Sequence, residues 1–271
     1  MKKIAVLLFA LSPLLLHAQN VKLDAGKKIT ASTTTSMDMD MSLGGQMKIE
    51  TSSTNIIEVK STEGNMYKAE NTLVKLKMSQ EGAGQEVSFD SDKKEDRESE
   101  MGKEISKELN VPGAIFIDKQ TGEVKDVSPE KPVEDNENPF GDLMGQGSSP
   151  TASASAAFYV LPAGKKVGDQ WIDSTSEKGM SIVKTYNYKS SENGISKLLI
   201  NTTTKGTIKK SAQGTEFEIT ISGTGTTNLE ADQKTGLTKR SATTSNMEGA
   251  VDMMGQSLPI TMSMSSVTTF E

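Results

Sequence analysis

From Ile29 to Leu43 the chain alternates, with Met37, Met39, Met41 and Leu43 at odd positions against Ser36, Asp38, Asp40 and Ser42 at even ones. A period of two puts each set on its own face of a β-strand, half-buried and antiparallel. Gly44-Gly45 predicts a hairpin turn, after which Met47, Ile49, Ile57 and Val59 alternate with Lys48, Glu50, Glu58 and Lys60. Glu63-Gly64-Asn65 turns the chain again. Thr72, Val74, Leu76 and Met78 are expected on one face of a third strand, and Val87 and Phe89, beyond Gly82-Ala83-Gly84, complete a four-strand meander. The pattern resumes in the second half, with strands expected near 180–190, 194–204, 215–229, 237–248 and 257–270. Phe217, Ile219, Ile221 and Leu229 stand there against Glu216, Glu218, Thr220 and Asn228, and Leu258, Ile260, Met262, Met264 and Phe270 form the last apolar face.

Between the halves the period changes. Met101, Ile105 and Leu109 recur every four residues in a charged stretch, which predicts one amphipathic helix over about 92–110. Its stripe is narrow and Gly102 weakens it by about 1 kcal/mol relative to Ala, so the helix needs a sheet to lie on. Ala114–Asp118 and Glu123–Val127 flank Lys119-Gln120-Thr121-Gly122 as a further hairpin. Residues 128–157 hold four prolines, an acidic cluster and a Ser/Ala run, a composition that predicts a flexible loop.

The fold class expected is therefore mainly β with one helix (α+β): two similar curved antiparallel meander sheets, or an open half-barrel. The halves span 19–127 and 158–271. Leu23-Asp24-Ala25-Gly26-Lys27-Lys28-Ile29 echoes Leu161-Pro162-Ala163-Gly164-Lys165-Lys166-Val167, and Asp118–Gly122 echoes Asp232–Gly236, as an internal duplication would.

Residues 1–18 read as an export signal: Lys2 and Lys3, an apolar run from Ile4 to Leu16, and Ala18 as the small residue before the cut. Export implies a periplasmic or extracellular protein. Losing Lys2, Lys3 and His17 would move the formal charge from −6 to −8 and leave a chain with neither His nor Cys. That composition excludes a Ser–His triad, a cysteine nucleophile, and a zinc or iron site built on imidazole or thiolate. It also leaves no residue for a lipid anchor, and no later apolar run reaches the roughly 20 residues of a membrane helix, so a soluble protein is expected. Arg97 and Arg240 are the only arginines and the pI is near 5.1, which argues against nucleic acid as a partner.

The run Gly164–Trp171 with its Val-Gly-Asp-x-Trp order, the helix ahead of Phe116-Ile117-Asp118, and the Asp232–Gly236 turn together resemble an uncharacterised family of exported bacterial β-rich proteins. That resemblance implies no catalytic residue. The arrangement is also similar, at the level of fold, to periplasmic lipoprotein carriers, whose curved half-barrel cups acyl chains beneath a helical lid.

The candidate ligand face follows from the alternation and from that likeness. Met37, Met39, Met41, Val74 and Leu76 would line a concave sheet able to accept a lipid or another apolar small molecule, with Met101, Ile105 and Leu109 on the covering helix. Thioethers also suit Cu(I), but without His or Cys partners these methionines read as packing, and no metal or cofactor is expected. Trp171 reads as a core anchor, Asp135–Asp142 lacks the spacing of a calcium loop, and Asp38 with Asp40 reads as a solvated face. No Ser-x-x-Lys motif set stands out. The expectation is a non-catalytic envelope protein that binds an apolar ligand; the alternative is a structural or protein-interaction module without one.

Overall fold

In the computed structural model, residues 20–41, 45–82, 84–126, 150–177, 179–212, 215–253 and 256–271 are described. The expected export signal, Ser42, Leu43 and Gly44 about the first turn, Ala83, Val127, and residues 128–149 of the loop with its acidic cluster lie outside them. The first meander comprises β1 (Lys28–Met41), β2 (Gly45–Glu63), β3 (Met66–Gly82) and β4 (Gln85–Asp90), and after two short helices come β5 (Pro112–Asp118) and β6 (Val124–Asp126). The second comprises β7 (Gln170–Glu177), β8 (Met180–Glu192), β9 (Ile195–Ala212), β10 (Thr215–Asp232), β11 (Thr238–Met253) and β12 (Gln256–Phe270).

The two meanders form one antiparallel sheet. Among the described residues its order is β6-β5-β3-β2-β1-β12-β11-β10-β9-β8-β7, with β4 on the part of β3 that β5 leaves free. The seam is β1 against β12, in register from Ala31–Phe270 to Met41–Ile260. It is closed at the base by reciprocal amide bonds between Thr30 and Glu271 at 2.9 and 3.0 Å. The sheet stays open, with β6 and β7 at its edges.

One expected face is corrected. On β3 the pairing steps from Thr54–Lys75 to Asn55–Leu73, so Val74 is the extra residue of a bulge. A bulge reverses the alternation beyond it. Tyr67, Ala69 and Asn71 therefore share the buried face with Leu76 and Met78, and Thr72 points the other way.

The helical stretch is also corrected. Instead of one helix there are α1 (Lys94–Glu98) and α2 (Glu100–Ser106), interrupted at Ser99, whose backbone is extended at φ −64° and ψ 162°. The Ser99 hydroxyl donates back to the Asp96 carbonyl at 2.7 Å and accepts the Gly102 amide at 3.0 Å, so one side chain ends α1 and caps α2. Gly102 is required here, since a Cβ would overlap the Asp96 carbonyl.

The loop expected to run to 157 ends earlier. α3 (Pro150–Ser155) carries Ala154 and leads into Ala157, both fully buried, and Phe158 bridges to Leu237. With residues 20–23, this segment covers the base of the sheet, where Ile29, Ile57, Val59, Ile115, Ile117 and Phe270 form the largest core. A second core of Leu161, Tyr188, Leu198, Ile200 and Leu229 lies under β8–β10.

Candidate functional site

Strand register divides the buried face of β2, β1, β12 and β11 into three zones. At the base, Ile57 stands opposite Ile29, and Ala31 opposite Phe270. A belt of hydroxyls follows: Thr33 meets Thr268 at 3.0 Å, Thr35 meets Ser266 at 3.0 Å, and Thr227 meets Thr243 at 2.9 Å. These groups satisfy one another across the strands, which is how hydroxyls are accommodated on a largely apolar face. Beyond the belt, toward the hairpin tips, the face turns to sulfur.

There Met37, Met39, Ile49 and Met262 are buried, with Met41, Met47, Met247 and Met264 packed against them. Register sets Met47, Met39, Met262 and Met247 directly opposite one another across β2, β1, β12 and β11, as one transverse row. In the neighbouring row Met37 lies between Ile49 and Met264, and beyond Met264 the hydroxyl of Ser245 is buried without a hydrogen-bond partner. Phe217, Ile219 and Ile221 extend the apolar surface along β10, with Met180 and Val251 against them. Burying one such side chain contributes about 1.5–3 kcal/mol.

The expected site residues fall into two groups. Met37, Met39 and Met41 come together in the methionine cluster. Val74, Leu76, Met101, Ile105 and Leu109 are not part of it. Val74 sits in the β3 bulge, and Leu76 exchanges bonds with Ser91 where β4 ends. Met101 and Ile105 are half-buried on α2 and Leu109 is buried just beyond it. α1 packs beside β4, held by the Arg97 guanidinium on the Ser91 carbonyl and by the Asp90 amide on the Asp96 carboxylate. Met247 carried its own signal in Asn246-Met247-Glu248, a strand alternation, but its place in the row depends on pairing that joins residues over two hundred positions apart.

Across the sheet from the methionines a groove of about 1020 Å³ is lined by polar-face residues, Asp38, Asp40, Lys48, Glu81, Lys205 and Glu248 over a floor of Ser, Thr and Asn side chains. Met39, Met47, Met247 and Met262, which alternate with these residues, border it as well. Lys48 bonds Glu50 at 2.7 Å, and that hydrogen bond and charge raise the ammonium pKa above its ordinary value, keeping it cationic. Among the described residues no group of three His, Cys, Asp or Glu side chains is arranged to hold a metal, and no helix is long and apolar enough to cross a membrane.

At the β7 edge, Trp171 stacks on Tyr186 at 5.2 Å with rings 2° apart, and the Lys165 ammonium lies over the indole, 5.1 Å from its centroid. Burial pushes the neighbouring Tyr159 phenol far above its usual pKa, which keeps it neutral. This cluster packs on the second core and anchors the edge strand.

Residues 147–238, about a third of the chain, match a family of unknown function, DUF6263. The matched stretch includes Gly164–Trp171 and the Asp232–Gly236 turn. In sequence the chain matches no curated protein. Among solved structures it is similar to one of lipid–protein interactions in lipovitellin, at a TM-score of 0.53 and 11% identity. That alignment covers 92% of this chain and 25% of lipovitellin, so the chain spans about a quarter of that protein, and the likeness is one of fold. Alignments with an outer membrane channel from Pseudomonas putida F1 (TM-score 0.26, 8% identity, 93% of this chain and 97% of that one) and with Pseudomonas aeruginosa OpdQ (0.25, 5%, 92% and 99%) are too distant to carry structural weight.

Proposed function

We propose that this is an exported, non-catalytic envelope protein that binds a lipid or another apolar small molecule on the methionine-bearing face of its sheet. The observation that carries the reading is the methionine cluster itself: unbranched, polarisable side chains gathered on one face of an open sheet adapt to ligands of varied shape. The fold shared with a lipovitellin structure described by its lipid–protein interactions supports it. Export is inferred from residues 1–18, and the absence of His and Cys beyond them supports a binding role over a catalytic one. The turns at Asp118–Gly122 and Asp232–Gly236, in which one aspartate oxygen accepts the amides two and three residues on, support an origin by duplication.

Native mass spectrometry of protein purified from envelope extract tests the reading. A co-purifying apolar molecule, displaced when Met39 is replaced by Lys, is the expected result, and repeated recovery of empty protein would overturn it. A second reading, a protein-interaction module, is favoured by Ile172, 69% exposed on β7, which among the described residues is an edge strand. Such an edge can take up a strand from a partner. Under that reading the protein is recovered empty but with another envelope protein attached.

A further inference from the structure

We propose that the transverse methionine row, Met47, Met39, Met262 and Met247, is a binding site for a soft monovalent cation, Cu(I), with Ag(I) as its redox-stable stand-in. Seven of the fifteen methionines form the tip cluster, whereas the two cores at the base of the same sheet contain none and use Ile, Val, Leu and aromatic side chains. Strand preference favours β-branched and aromatic residues, and the largest core, rich in Ile and Val, follows it. The tip departs from that preference at directly opposed positions on four adjacent strands.

Directly opposed residues on neighbouring strands have Cβ atoms about 4.5–5.5 Å apart, and a thioether reaches far enough for two such sulfurs to meet one ion between them. Met39 has a methionine opposite it on both sides, and so does Met262, so three sulfurs can converge at either position. Thioethers select Cu(I) over harder ions. Being neutral and non-titrating, they lose nothing by being buried and release no proton on binding. The carboxylate-bearing groove lies on the opposite face of the sheet and takes no part in this site, so selection of the ion rests on the sulfurs alone.

This inference does not rest on the apolar-ligand reading, and Met→Leu substitutions separate the two, since leucine keeps the apolar volume and removes the sulfur. The full chain is titrated with Ag(I) in chloride-free buffer and read by native mass spectrometry, then with Cu(I) under reducing, anaerobic conditions against a chromophoric Cu(I) chelator. One ion per chain is expected. Met39→Leu/Met262→Leu should weaken binding by at least about 10-fold, as loss of direct ligands must exceed the effect of losing their outer-shell supports. Met47→Leu/Met247→Leu serves as a second pair should the first unfold, and Met101→Leu, on α2, should bind as the parent does. Affinity unchanged in both Leu pairs, or a parent chain that binds no ion more tightly than they do, overturns the metal site. Retained apolar-probe binding in the Leu pairs shows that the face is intact, so failure of this site and failure of the lipid site remain distinct results.

Discussion

Asp232 holds the turn before β11 with a single oxygen, and removing that oxygen gives a graded test of how the base of the sheet is fastened. Its Oδ1 accepts the amides of Lys234 and Thr235, both at 2.9 Å, and the Thr235 hydroxyl at 3.0 Å. The turn in turn receives the Lys22 amide on the Thr235 carbonyl at 2.9 Å and the Tyr159 amide on the Gly236 carbonyl at 2.9 Å, so it fastens both segments that cover the base core. A hydrogen bond to a charged group contributes about 1.5–3 kcal/mol when buried; the turn is half-exposed, and crediting each of three bonds with about a third of that gives about 2 kcal/mol for Asp232→Ala. Asp232→Asn keeps an acceptor oxygen and should cost about half as much. With m near 3 kcal/mol per M, the alanine variant lowers the urea midpoint by about 0.7 M. Burial raises the carboxyl pKa, but the bonds from Thr235 and Lys234 outweigh it and leave it below the ordinary 3.8. A folded-state value below the unfolded one means that the contribution is full at neutral pH and is lost as pH falls through the folded value, so the gap between parent and Asp232→Asn should close below about pH 3.8. Equal midpoints for all three proteins at neutral pH, or a gap that persists undiminished in acid, would refute the account.

How much of this was legible in the sequence depends on what kind of information each feature needs. The faces of β1 and β2 were legible because period two is plain at Met37–Met41 and Met47–Ile49, and no bulge breaks the β1–β2 pairing that carries the same faces back to Ile29 and Ile57. The face of β3 was not: nothing in Leu73-Val74-Lys75 marks a bulge, and one extra residue reverses every side chain beyond it. Ser99 inside the expected helix is a strong cap, but capping competes with continuation, and only the approach of Gly102 to Asp96 decides between them. Ala154 and Ala157 sit in a stretch whose composition reads as linker, yet small residues are what a segment needs to lie flat on a sheet. The site was legible only in part, because alternation assigns Met39 and Met262 each to a face but cannot say that β1 and β12 are neighbours.

Four further substitutions address the sheet as a whole. Gly249→Ala should destabilise by about 1–3 kcal/mol and speed amide exchange in β10 and β11, because its Cβ would overlap the Thr220 carbonyl and sit 3.1 Å from Ile221; a neutral result would mean that the strands are not so close there. Ile57→Ala, fully buried at the base, should lower stability by about 2–5 kcal/mol in thermal unfolding, whereas Met39→Leu should cost less than about 1.5 kcal/mol, and the reverse order would relocate the main core. Phe270→Ala asks whether the halves unfold together. Phe270 is 3% exposed opposite Ala31, at the seam where the last strand meets the first. It belongs to a core that also holds Ile57 and Ile115 from the first half and Phe158 and Leu237 from the second. Truncating it should cost about 3–5 kcal/mol. Trp171, the single tryptophan, stacks on Tyr186 under β8, in a core drawn wholly from the second half. If one sheet makes one cooperative unit, loss of packing at the seam must be felt there, and Trp171 fluorescence and far-UV circular dichroism should shift to the same lower urea midpoint. A fluorescence transition that stays where it was while the dichroism moves would show that the second meander holds without the seam, and that a continuous sheet here is not a single folding unit.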